Sequence, residues 1–111
     1  MNIYFKLNGK EVVPATQDEF CEMWRGSERF LQQTPVGDMT VSTVFLGLDH
    51  GFGGEHGIFF ETMILNAPGK LMDFQVRYST YDEAMRGHRE ALRRARLSLA
   101  GRNNRRAVKP C

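Results

Sequence analysis

Apolar positions change period several times along this chain, and each change marks an element. Ile3-Tyr4-Phe5-Lys6-Leu7 has the apolar, β-prone character of a strand. Asn8-Gly9 follows, a dipeptide that readily takes the two positive φ angles of a tight hairpin turn, and Glu11-Val12-Val13 returns before Pro14. Thr16-Gln17-Asp18-Glu19 is a capping box, in which a threonine and a glutamate satisfy each other's orphan amides. Phe20, Met23 and Trp24 then recur at helical spacing, so a first helix is predicted from about Gln17 to Arg25, ended by Gly26-Ser27. A short extended piece, Arg29 to Gln33, leads to a predicted turn at Thr34-Pro35-Val36-Gly37-Asp38.

The middle of the chain is its most apolar part. Met39 to Leu48 carries no charge and Gly57 to Leu65 carries one, Glu61; both read as central strands with each face at least partly covered. The Asp49–His56 loop between them makes a hairpin the simplest connection, and a further strand is predicted from Met72 to Tyr78. Thr80-Tyr81-Asp82-Glu83 is a second capping box. Behind it Tyr81, Ala84, Met85, His88, Ala91 or Leu92, Ala95 and Leu99 form one apolar stripe of a second helix, with arginines opposite. Gly101 is the expected stop. The reading is therefore one α+β domain over residues 1–100, with an antiparallel sheet of five or six strands packed on two helices. A basic tail without periodicity, expected to be disordered, occupies 101–111.

Composition adds three limits. A 111-residue chain has room for one core, and Cys21 and Cys111 form neither a disulfide framework nor a zinc pattern. No run approaches a membrane span or a signal peptide, so a cytoplasmic protein is expected. The net charge of +2 conceals an asymmetry: residues 86–111 hold nine Lys or Arg against one acid, whereas residues 1–85 hold six against twelve. Such opposed ends point to an anionic partner for the basic end or to docking between subunits; a solvated face with a frayed tail has the same composition.

Glu61 is the informative residue for chemistry. A carboxylate among Phe59, Phe60 and Met63 needs a partner, a metal or an edge. Arg77 in the next strand can pair with it, and His88 lies on the stripe facing the sheet, so a Glu61–Arg77–His88 cluster is predicted. Two roles stay open for it: a structural ion pair with a core histidine, or an anion site completed by Asp49 and His50. A metal-dependent hydrolase or nuclease using His50, His56 and Glu61 is the enzymatic alternative, although the spacing fits no metal motif and no cofactor is expected. Arg86, Arg89, Arg93 and Arg96, three or four residues apart, form a stripe suited to a nucleic-acid backbone or a protein surface.

The segments Val41-Ser42-Thr43-Val44-Phe45-Leu46-Gly47-Leu48-Asp49-His50, Phe60-Glu61-Thr62-Met63, Arg77-Tyr78-Ser79-Thr80, Asp82-Glu83-Ala84 and Gly87-His88 together resemble a family of small bacteriophage and prophage proteins. The likeness runs from about Gly9 to His88 and leaves out the basic tail. It implies a virus-encoded accessory protein in the host cytosol that counters host defence, by blocking an immune effector such as CRISPR or by sequestering a nucleotide signal. The expected partner is then a host defence protein or a small anionic nucleotide. The two long apolar strands, with one charge between them, further suggest a homo-oligomer.

Overall fold

A computed structural model describes residues 3–50, 57–66 and 70–107, and of 70–73 and 102–107 the backbone alone. Strands β1 (Tyr4–Asn8) and β2 (Glu11–Ala15) form the N-terminal hairpin, with Asn8 opposite Glu11 and Gly9 at φ 65°. Helix α1 (Gln17–Arg25) starts from Thr16, and both halves of its capping box are made. Strands β3 (Phe30–Val36), β4 (Met39–Phe45), β5 (Phe60–Asn66) and β6 (Lys70–Tyr78) follow in that spatial order as one antiparallel four-stranded sheet. Helix α2 (Tyr81–Ala107) completes the chain, its capping box made by Thr80 and Glu83. The α+β class, the N-terminal hairpin and the central β4–β5 hairpin are as the sequence predicts, the six strands being divided between two sheets.

Several boundaries differ from these expectations, β5 starting at Phe60 and β6 at Lys70, and three of the differences have a physical reason. The predicted turn at Thr34-Pro35 is strand: β3 runs to Val36, and the turn is made by Gly37, at φ 63°, with Asp38. Proline is tolerated because β3 is an edge strand, whose outward amide needs no ladder partner. β4 stops at Phe45 rather than Leu48, where Gly47 turns the backbone to φ 74° and its carbonyl accepts the Phe5 amide at 2.9 Å. A side chain at Gly47 would lie 2.7 Å from Met23 and 2.8 Å from Phe20, so this glycine lets α1 and the hairpin close on the end of the sheet. The helix expected to end at Gly101 runs to Ala107. An internal glycine costs a helix only ~1 kcal/mol and so need not end it. Residues 108–111 of the expected disordered tail lie outside the described residues.

Packing on α2 is layered, and the β4–β5 register sets the layers. Phe45 opposes Phe60, Thr43 opposes Thr62 and Val41 opposes Ile64, all on the face that α2 crosses. Phe45 and Phe60 join Ala84 and Met23 in one buried cluster, while Val41 and Ile64 join Ala91 and Ala95 in another. Between them, His88 meets the threonine layer. α2 touches all four strands of this sheet.

Candidate functional site

The period of two along β5 decides where each predicted residue goes. Phe60, Thr62 and Ile64 face α2; Glu61, Met63 and Leu65 face away. Glu61 stands directly opposite Arg77, whose Nε–H donates to Glu61 Oε2 at 2.7 Å, and Gln75 Nε2–H donates to the same oxygen at 2.9 Å. The Glu61 side chain is 8% exposed and that of Arg77 45%, so a buried carboxylate is held by a half-exposed cation. His88 lies on the other side of the sheet. The predicted three-residue cluster is therefore an ion pair and a histidine separated by the sheet itself, because Glu61 and the His88-facing Thr62 are adjacent residues of one strand.

His88 is fully buried and closed into a chain of hydroxyls. Its Nδ1 lies 2.6 Å from Thr43 Oγ1, its Nε2 2.9 Å from Thr34 Oγ1, and Thr43 Oγ1 lies 2.6 Å from Thr62 Oγ1. Hydroxyls donate or accept as needed, so either neutral tautomer is satisfied. Burial holds the imidazole below its ordinary pKa of 6.5, which favours the neutral form. Beside Thr62, the buried Tyr78 hydroxyl has no partner at hydrogen-bonding geometry among the described residues. Burial pushes its pKa up, with Thr62 acting in the opposite direction. Thr34, Thr43, Thr62 and Tyr78 escaped the sequence reading, since strand threonines look like ordinary β-formers; the signal available was a histidine on an apolar helical stripe, which must find hydroxyl or carbonyl partners.

Asp49 and His50 sit beyond β4 and close the neck of the loop. Asp49 Oδ1 accepts the Ile58 amide at 2.8 Å, and the His50 amide donates to the Ile58 carbonyl at 2.8 Å. Neither residue is hydrogen-bonded or ion-paired to Glu61, Arg77 or His88 among the described residues, and His56 lies outside them. No three His, Cys, Asp or Glu side chains among the described residues come together as metal ligands. A cleft of about 330 Å³ lies between α1, β1 and Phe45, but Glu19, Glu22 and Glu28 line it beside Lys6, which is ion-paired to Glu19. That lining repels an anion.

The outward face of α2 carries the charge. Arg86, Arg89, Arg93 and Arg96 are all exposed. Glu90 takes up Arg93 through two bonds, at 2.7 and 3.0 Å, and Arg94 through one at 3.2 Å; these hydrogen bonds pull its pKa down to about 2. Arg86, Arg89 and Arg96 make no ion pair among the described residues. On a wheel of 100° per residue these three fall within one flank, spread over ~15 Å of helix. α2 packs on the sheet as far as Leu99, beside the Gly37 turn, and a Cβ at Gly101 would meet nothing within 4 Å. No described helix is long and apolar enough to cross a membrane. No family model, curated protein or solved structure matches the chain.

Proposed function

We propose that this protein is a non-enzymatic binding module whose working surface is the outward face of α2, and that its partner is the phosphate backbone of a nucleic acid. The carrying observation is the contrast between spent and unspent polar groups. Glu61 is occupied by Arg77 and Gln75, and His88 by Thr34 and Thr43, whereas Arg86, Arg89 and Arg96 stand exposed on one flank with no ion pair among the described residues. Guanidinium groups so arranged contact phosphates by charge-assisted hydrogen bonds and release counterions on binding.

In the setting that the sequence resemblance implies, the protein is a bacteriophage accessory factor in the host cytosol. It counters host defence by occupying the guide or target nucleic acid of an immune effector such as a CRISPR complex. Sequestration of a small nucleotide is the weaker reading, because His88 lies across the sheet from Glu61 and Arg77, the cleft beside α1 is acidic, and the hollow of about 370 Å³ lined by Gln75 and Arg77 offers a single cation, already paired to Glu61. A hydrolase using His50, His56 and Glu61 draws no support from the described geometry. The test is affinity purification from bacterial cells followed by native mass spectrometry. Wild-type protein should retain nucleic acid, and the triple variant Arg86→Glu, Arg89→Glu, Arg96→Glu should emerge without it at unchanged thermal stability. Equal retention by both would reject this face as the working surface.

A further inference from the structure

The sheet face turned away from α2 is built like an interior. Its ladder rows read Phe30–Val44–Glu61–Arg77, Gln33–Ser42–Met63–Gln75 and Pro35–Thr40–Leu65. Glu61 and Arg77 neutralise each other on it, and at its corner the Arg29 guanidinium stacks 4.4 Å over the ring of Phe30. An antiparallel sheet with one face in water normally carries free charge at its central outward positions. Here those positions are Ser42, Val44 and Met63, on strands already flanked on both edges; Ser42 and Val44 are buried within the single chain, and Met63 is half-buried.

We propose that a second copy of this chain covers this face, sheet on sheet, giving a two-fold dimer with α2 on each outer side. A two-fold interface must be self-complementary, and this face carries both halves of a matching pair. Both hydrogen bonds to Glu61 fall on Oε2, so Oε1 accepts none among the described residues; Arg77 uses Nε alone, so its two Nη groups keep their donors. Arg77 of each copy therefore reaches Glu61 Oε1 of the other, and the uncharged rows pack between the two pairs. Four strands of about seven residues give a plan area of roughly 450 Å² per copy. The relief of the side chains brings this toward the ~600 Å² per partner of the smaller specific interfaces. The packing leaves both basic helices outward, so it is independent of what they bind.

Sedimentation velocity over a micromolar to millimolar concentration series tests this on the full chain. Wild type should sediment with the mass of two 12.7 kDa chains. Met63→Lys, which places a charge at the centre of the face, should weaken association about 100-fold with unchanged circular dichroism. Leu65→Lys and Gln33→Lys probe the same surface should Met63→Lys fail to fold. A single-chain mass at every concentration would overturn the proposal. So would a dimer that withstands the folded variants, or one that dissociates on charge reversal along α2.

Discussion

Glu61 and His88 lie on opposite sides of one four-stranded sheet, each closed into its own hydrogen-bonded set. The two sets are separated by the strand that carries Glu61 and, next to it, Thr62. Each set therefore answers to a different perturbation.

Removing the imidazole leaves Thr34 and Thr43 facing a buried void. His88→Ala should destabilise the protein by about 3 kcal/mol, through lost packing and unsatisfied hydroxyls. In a domain of this size that lowers Tm by on the order of 10 °C or more. Urea unfolding monitored by circular dichroism measures the change; a loss near zero would contradict the buried chain.

The same residue predicts a pH dependence of definite sign. The folded-state pKa lies below the unfolded value of 6.5, so the unfolded chain binds the proton more readily. Stability is then full above about pH 6.5 and declines as pH falls below it, before carboxylates begin to titrate. Wild type should lose stability between pH 6.5 and 5, and His88→Gln should be flatter over that window. Parallel curves for the two proteins would refute the assignment.

Two helix glycines should respond oppositely to alanine. A Cβ at Gly87 would stand 1.9 Å from the Tyr78 hydroxyl and 2.1 Å from its ring, whereas one at Gly101 would meet nothing. Gly101→Ala should stabilise by up to ~1 kcal/mol, the ordinary helix preference. Gly87→Ala should destabilise, and pairing it with Tyr78→Ala should recover part of the loss, a non-additivity that a double-mutant cycle reads directly.

Arg77→Ala leaves the Glu61 carboxylate with Gln75 alone. Because Arg77 is half exposed, the expected cost is about 1–3 kcal/mol, below that of breaking a fully buried pair. Glu61→Gln in the Arg77→Ala background should restore part of it. If the second change adds a further loss, the pair is not what holds Glu61 in place.

Much of this architecture was legible in the chain. Both capping boxes, the Asn8-Gly9 turn and the stripe from Ala84 to Leu99 are local signals whose geometry follows from spacing. The Glu61–Arg77 pair was legible too, because a lone acid in an apolar strand needs a cation nearby. What spacing does not carry is which side of a sheet a partner occupies. Strand register and face depend on long-range pairing, so spacing alone neither separates His88 from Glu61 nor singles out its threonine partners. The Pro35 turn was misplaced because a proline reads as a breaker until its strand is known to be an edge.

The most direct test of α2 as the binding surface is fluorescence anisotropy of a labelled nucleic-acid duplex titrated with the protein across a salt series. Three phosphate contacts by Arg86, Arg89 and Arg96 give a slope of log affinity against log salt of about −2.7. Arg86→Glu, Arg89→Glu, Arg96→Glu should abolish binding, while Arg77→Ala should leave the slope intact. Absence of binding by wild type, or affinity and slope unchanged by the triple reversal, would contradict the account.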